Sequence, residues 1–199
     1  MLRVLIVNNY PDGHGLAAIA RIRRSLKALG VKTLLASPRR GWPQGFDAAV
    51  LTGTSPRGKV PRSWLEEELK VVERAEVPVL GICFGLHLLA KRLGIPVVRM
   101  ERRRVGFKEV EVVGDDPLFE GMDRLVVWEN HRMRLSRAAL SDPRVKVLAS
   151  SAESPVEALR VGDRPIYGVQ FHPERHDEGR GYGFQVLRNF IEIAKSYSG

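Results

Sequence analysis

The sequence predicts an α/β fold, built on an open, mostly parallel, twisted sheet with helices on both faces. Short, continuous apolar runs in the first half are typical of strands that are covered on both sides. Segments with helical periodicity separate these runs, which favours parallel strands joined by crossover helices. After about residue 95, short β-like runs follow one another through turns, so antiparallel additions to the sheet are expected in the C-terminal half. We see no linker or internal repeat and expect one domain over residues 1–199.

The first half of the chain alternates strands and helices. Its first helix, over 15–29, has apolar side chains near helical period and Gly30 in a position to end it. A second helix begins at Ser63, where Glu66 completes a capping box. The predicted strands are 2–7, 31–36, 47–52 and 77–82, and the predicted helices are 15–29, 63–75 and 84–93.

The second half contains β-like runs that are joined by turns such as Gly162-Asp163, and one final helix. The predicted strands are 97–98, 105–113, 125–128, 145–150, 156–161 and 166–170, and the helix covers 182–194.

The composition is that of an ordinary globular protein. Hydrophobic residues make up 44% of the 199 residues and charged residues 28%, which excludes a disordered chain. No apolar run approaches the roughly 20 residues that span a bilayer, and residues 1–8 fit a first strand better than a cleaved leader. The single cysteine, Cys83, excludes an internal disulfide, so we expect a reducing, cytoplasmic setting.

The formal net charge is +9. The one dense basic cluster consists of Arg99, Arg102, Arg103, Arg104 and Lys108. Aromatic residues are sparse and zinc-finger spacing is absent, so nucleic-acid binding is not expected as the main function. We predict that Arg99, Arg102, Arg103 and Arg104 form a docking surface for an acidic partner, with a solvated basic face as the alternative.

The strongest local signal is a cysteine between a buried strand and a helix. Glycines lie two residues before and two residues after Cys83, in the run Gly81-Ile-Cys-Phe-Gly85. Small neighbours permit the sharp turn of a nucleophile elbow, which lifts the side chain above the sheet. The helix N-terminus favours the thiolate, and the amide of Phe84 is free to bind an oxyanion. A buried structural cysteine is the alternative.

A cysteine nucleophile needs a base and an orienting group. Both types occur in His172-Pro-Glu174, directly after a predicted strand, where residues two apart point the same way. His14 and His176 are expected to be surface residues. Gly53, in Leu51-Thr-Gly-Thr-Ser-Pro56, follows another strand and lets backbone amides approach a reacting carbonyl closely. An ordinary turn is the alternative for that segment.

These motifs resemble the class I glutamine amidotransferases, whose fold is flavodoxin-like, over nearly the whole chain. The resemblance rests on Gly81-Ile-Cys-Phe-Gly-Leu-His87 and Tyr167-Gly-Val-Gln-Phe-His-Pro-Glu174. It implies a catalytic triad of Cys83, His172 and Glu174, with Gly53 and Phe84 binding the oxyanion. Within the family, Val127-Trp-Glu-Asn-His131 and Ser154-Pro-Val-Glu-Ala158 are most similar to the separate glutaminase subunit of GMP synthase. Glutamine is then the substrate, and a synthetase partner chain with ATP-dependent activity receives the ammonia.

Three departures from the family pattern concern substrate-holding positions, which are Thr54, His87, Asn130 and His131. The family usually has Gln where this chain has His87, and Gly-Gly-Pro where Thr54 and Ser55 follow Gly53. GMP synthase glutaminases typically carry Ser-His-x-Asp, but here Met133 stands at the Asp position. The resemblance therefore implies intact catalysis and leaves the substrate's identity open.

The family mechanism uses no cofactor and no metal, and the His and Cys spacing indicates no metal site. Two alternatives stay open: a stand-alone hydrolase of γ-glutamyl amides with the same triad, and a non-catalytic regulatory homologue.

Overall fold

The computed structural model describes residues 1–10, 15–37, 41–55, 60–74, 76–176 and 181–197. His14, residues 56–58 of the predicted turn and Ala75 lie outside these ranges. The strands are β1 (Arg3–Val7), β2 (Lys32–Ala36), β3 (Ala48–Leu51), β4 (Val79–Ile82), β5 (Val97–Val112), β6 (Arg124–Leu135), β7 (Val145–Ser150), β8 (Ala158–Val161) and β9 (Ile166–Val169). The helices are α1 (Leu16–Ala28), α2 (Arg62–Arg74), α3 (Phe84–Arg92) and α4 (Gly183–Tyr197).

The nine strands form one sheet in the order β2-β1-β3-β4-β9-β8-β7-β5-β6. The pairs from β2 through β9 are parallel, and the pairs from β9 through β6 are antiparallel. This arrangement confirms the predicted parallel sheet and its antiparallel additions in the C-terminal half.

Both faces of the parallel region are buried. On β1, Val4 and Ile6 pack in the cluster that includes residues of α1 and α4, whereas Leu5 and Val7 pack in the cluster that includes residues of α2. Every residue of β3 and β4 is buried. Continuous apolar strands are what a sheet covered on both sides requires, and they bring the carboxyl ends of β1, β3, β4 and β9 to one edge.

The strands β5 and β6 form a long antiparallel ribbon that the sequence predicted only in pieces. The runs 97–98 and 105–113 are parts of one 16-residue strand, and β6 extends from Arg124 to Leu135. The ribbon reaches the end of β9, because the amide of His172 donates a hydrogen bond to the carbonyl of Trp128 (2.8 Å). The predicted strand stopped at Trp128 because the polar residues after it conceal an alternation whose inward positions are charged.

The predicted capping box on α2 is wrong. The helix begins at Arg62, so Ser63 lies inside it, and Glu66 forms an ion pair with Arg62 (2.8 Å). Pro61, directly before the helix, has a fixed φ that suits a helix start. Among the described residues, no helix combines the length and the apolar character that a membrane crossing requires.

Candidate active site

Cys83 occupies the sharp turn between β4 and α3. Its backbone has φ 51° and ψ −94°, in a region that non-glycine residues rarely adopt, and its amide donates to the carbonyl of Val169 on β9 (2.7 Å). Strained backbone of this kind persists only where the surroundings hold it. The side chain is partly exposed. The strand–turn–helix geometry predicted for this cysteine is therefore present.

The two glycines beside the turn are required for close backbone packing. A Cβ atom on Gly81 would lie 2.6 Å from the carbonyl carbon of Gly85, and one on Gly85 would lie 2.6 Å from the carbonyl oxygen of Leu51. Real Cβ atoms do not approach backbone so closely. The start of α3 therefore sits directly against β3 and β4, with its first amides at the carboxyl edge of the sheet.

His172 and Glu174 form a buried pair beyond the end of β9. The imidazole Nδ1 lies 2.9 Å from Oε1 of Glu174, and the two residues are 8% and 3% exposed. Burial disfavours the imidazolium, but the Glu174 carboxylate and a hydrogen bond with Cys83 together hold the pKa of His172 well above its ordinary value. The three predicted triad residues are thus brought together, with Glu174 orienting the ring and Cys83 on the other side.

Gly53 lies against both the histidine and the cysteine. A Cβ atom there would stand 3.1 Å from Cε1 of His172, 3.1 Å from the hydroxyl of Tyr10 and 3.8 Å from Cβ of Cys83. Only a residue without a side chain leaves this space open for a substrate. Gly53 is therefore close enough to the nucleophile and the base for the oxyanion role that the sequence predicts.

A buried polar network holds the Gly53 segment in place. The amide of Asn9 donates to Oγ1 of Thr52 (3.0 Å), and the hydroxyl of Thr54 donates to the carbonyl of Asn9 (2.5 Å). The side chain of Asn9 donates to Glu68 (3.0 Å) and accepts from Nε1 of Trp64 (3.2 Å). The hydroxyl of Thr54, predicted to hold substrate, is thus engaged with backbone in the structure.

Glu68 is fully buried on α2, and burial raises its pKa to about 8. Its hydrogen bond from Asn9 lowers the pKa only in part. The carboxyl group therefore remains largely protonated near neutral pH and supports the Gly53 segment as a neutral group.

Gln170 connects His87 to the nucleophile. Its amide nitrogen lies 3.7 Å from Sγ of Cys83, and its Oε1 lies 2.9 Å from Nε2 of His87. Burial lowers the pKa of His87 to about 4, so the ring is neutral near pH 7, and Nε2–H donates to Gln170. His87 reaches the cysteine through Gln170, which indicates a positioning role instead of the direct substrate contact that we expected.

A cleft of about 240 Å³ lies on the histidine side of the site. It is lined by Tyr10, Ala17, Ala18, Arg21, Thr54, Ser55, Arg103, Asn130, His172, Glu174 and Arg175. Asn130, a predicted substrate contact, is at this cleft, and its Oδ1 accepts a hydrogen bond from Arg103 (2.6 Å). Its position keeps that prediction open.

His131 is directed elsewhere. The residue is 5% exposed; its Nδ1 lies 2.9 Å from the carbonyl oxygen of Met133, and its Nε2 lies 2.9 Å from Glu129. Arg104 is buried in the same cluster, with Nε 3.6 Å from Glu129 and a second contact to Glu153. The expectation that Arg104 belongs to a surface patch is therefore wrong, because its strand position turns it toward the Glu129 carboxylate. The surroundings of His131 likewise indicate a structural role.

Glu129, His131 and Glu157 are buried and place possible metal-ligating atoms within 4.8 Å of one another. Arg104 already supplies a positive charge to these carboxylates. Burial and the neighbouring Glu129 also raise the pKa of Glu157 well above its ordinary value, which favours its neutral form. A charge-balanced cluster of acids, arginine and histidine describes this group better than a metal centre.

Two residues of the site were missed by the sequence reasoning. Tyr10 follows β1 at the same edge as Gly53, and its ring packs so closely on Gly15 that a Cβ there would be 2.0 Å from Cγ. Burial and the nearby charges of Glu174 and Cys83 raise the pKa of Tyr10, which keeps its hydroxyl protonated. The carboxyl-end rule that identified Gly53 also covers Tyr10, whereas Gln170 carried no separate signal. His176, expected at the surface, bonds to Ser25 (2.9 Å) and contacts Phe184.

Comparisons with known proteins identify a consistent set of relatives. The family model for "Glutamine amidotransferase class-I" matches residues 19–193. The chain is 42% identical over 130 residues to a glutamine-hydrolyzing GMP synthase subunit of Pyrococcus furiosus, an alignment that covers 64% of this chain and 66% of that relative. It is 30% identical to the corresponding subunit of Methanothermobacter thermautotrophicus, with 98% of this chain and 100% of the relative covered.

The fold is shared with a solved structure. The crystal structure of a proposed GMP synthase subunit from Thermoplasma acidophilum superimposes with a TM-score of 0.83 at 31% identity. The superposition covers 100% of this chain and 96% of the other.

Proposed function

We propose a glutaminase reaction for this chain, which belongs to the class I glutamine amidotransferase family. Cys83 is the nucleophile, His172 is the acid and base, and Glu174 orients His172. The observation that carries this proposal is the buried His172–Glu174 pair beside a cysteine on a strained strand-to-helix turn. The likeness to glutamine-hydrolyzing GMP synthase subunits supports glutamine as the amide substrate.

In the first half-reaction, the Cys83 thiolate attacks the carboxamide carbon of glutamine. The carbonyl electron pair moves to oxygen, and the amides of Gly53 and Phe84 donate to that oxyanion. The raised pKa of His172 supplies an imidazolium that protonates the amide nitrogen. The carbon–nitrogen bond then breaks, so that ammonia leaves and a thioester to Cys83 remains.

In the second half-reaction, His172 is neutral and removes a proton from water. The resulting hydroxide attacks the thioester carbon, and the carbon–sulfur bond breaks to release glutamate and restore the thiolate. Because His172 acts in both halves, its loss affects acylation and deacylation together. Gln170 stays beside Sγ as a neutral hydrogen-bond donor and fixes the position of the sulfur.

We propose further that the ammonia passes to a separate synthetase chain, which is the ATPase chain of a GMP synthase. The support is the similarity to relatives named as the glutamine-hydrolyzing part of that enzyme. The triad cleft opens toward Arg103 and Asn130 on the β5–β6 ribbon, a surface on which a second chain can pack.

The test is a measurement of ammonia and glutamate formation from glutamine. The purified chain is assayed alone and with the GMP synthase ATPase chain and its nucleotide substrates, with Cys83→Ser as the control. Hydrolysis that requires Cys83 and increases with the partner supports the proposal. Hydrolysis that the partner leaves unchanged favours a stand-alone amide hydrolase, and no hydrolysis under either condition contradicts an enzymatic role.

A further inference from the structure

The β5–β6 ribbon contains a basic groove that no part of the proposed chemistry uses. It has a volume of about 790 Å³ and presents six cationic and two anionic side chains. The groove residues are Arg99, Met100, Glu101, Arg102, Arg103, Arg104, Val105, Lys108, Arg134 and Glu153. We call this surface the arginine groove.

The cations of the arginine groove are largely uncompensated. Arg104 forms its buried floor and contacts both Glu129 and Glu153. By contrast, Arg99, Arg102 and Arg103 are exposed, and the ion pairs found among the described residues include none to these three side chains. Concentrated positive charge of this kind is repulsive in the free protein and is relieved when an anionic partner binds.

The groove is a built feature of the ribbon. Arg99 pairs with Met133 and Arg104 pairs with His131, so the four residues 100–103 of β5 face a single residue of β6, Arg132. The Arg132 guanidinium donates to the carbonyls of Met100 (3.4 Å) and Glu101 (3.0 Å) and so ties the extra residues down. Irregularities of this type re-aim side chains, and here they present consecutive arginines on an ordered backbone.

Arg103 makes the arginine groove continuous with the triad cleft. It lines both surfaces and donates to Asn130, which also lines the cleft. A ligand seated in the groove would therefore contact the same arginine that holds a predicted substrate residue.

We infer that the arginine groove binds an acidic segment of the synthetase chain. The inference rests on the proposed function, which requires that a partner lies over the triad cleft for ammonia transfer. Arginine forks suit carboxylates, which they bind through two parallel hydrogen bonds. The groove residues include no aromatic side chain on which bases could stack, so nucleic acid fits the surface less well.

The test measures how binding to the GMP synthase ATPase chain depends on salt. The variant is Arg99→Glu with Arg102→Glu, two exposed residues that lie outside the triad cleft. The matched control is Arg23→Glu with Lys27→Glu, which makes the same charge change on exposed positions of α1. We expect the groove variant to associate about tenfold more slowly or worse at low salt, with a smaller difference at high salt, and the control to bind like the wild type.

Glutaminase activity of the isolated chain separates this inference from the proposed function. The groove variant should hydrolyse glutamine alone as fast as the wild type, while its stimulation by the partner is lost. Equal partner binding by the groove variant and the wild type overturns the inference even if the glutaminase reaction is real. A single-stranded RNA that binds the wild type more tightly than a polyglutamate peptide of equal charge also overturns it, because the groove then serves a nucleic acid.

Discussion

The carboxyl edge of the parallel strands and the β5–β6 ribbon contribute different parts of the site. The parallel edge holds Cys83 and His172 at the ends of buried strands, and Gly53 approaches both of them closely. The ribbon brings Asn130 and Arg103 to the cleft from a largely exposed hairpin. The difference indicates that the chemistry is fixed by the rigid core, whereas recognition depends on an element that folds over it.

The largest expected effect concerns the core. Replacing His172 with Ala removes the acid and base of both half-reactions, and kcat should fall about 10²–10⁴-fold. Glu174→Gln keeps a hydrogen-bond acceptor for Nδ1 and should leave measurable turnover. Steady-state glutaminase assays on both variants check this order, and a larger loss for Glu174→Gln would mean that the two roles are reversed.

The second prediction concerns the stability of the core against pH. The pKa of Glu68 is about 8 in the folded chain and near 4.5 when unfolded, so the folded state holds its proton over a wider pH range. The contribution is fully present below pH 4.5 and is lost as pH rises toward 8, since the unfolded chain releases its proton first. Glu68→Gln should flatten this decline and increase the free energy of unfolding near pH 7 by up to a few kcal/mol.

Urea unfolding of the Glu68→Gln variant between pH 5 and 9 measures that slope. Glu66→Gln, on an exposed position of the same helix, is the control and should keep the wild-type slope. A slope that survives in the Glu68 variant would show that another group is responsible.

The third prediction concerns the ribbon. Asn130→Ala removes a cleft side chain and its bond from Arg103, so glutamine should bind less tightly while the triad is untouched. We expect KM to rise about tenfold, near the value of one hydrogen bond to a charged group, with kcat within a few-fold of wild type. A fall in kcat without a change in KM would place Asn130 with the chemistry and weaken the contrast between the two regions.

The smallest expected effect is that of His87→Gln. The neutral His87 holds Gln170, and glutamine in its place can donate the same hydrogen bond. We therefore expect kcat to change a few-fold at most with KM unchanged, whereas His87→Ala should reduce kcat further because Gln170 loses its partner. A decrease in KM for His87→Gln would instead support a direct substrate contact.

The sequence predicted the core better than the ribbon. The elbow at Cys83 and the proximity of His172 follow from local rules: buried strand, glycine spacing and alternation beyond a strand end. The burial of Arg104 and His131 could not be predicted, because their partner Glu129 is set by pairing between β5 and β6. The irregularity between Arg99 and Arg104 also breaks the simple alternation on which such a prediction depends.

The nucleophilic role of Cys83 is the central claim, and covalent labelling tests it most directly. The intact chain is treated with a diazo-ketone analogue of glutamine, and the adduct is counted and located by mass spectrometry. We predict one equivalent per chain, attached to Cys83, with competition by glutamine and strongly reduced labelling in His172→Ala. Labelling that persists in Cys83→Ser, or an adduct on another residue, would contradict the account.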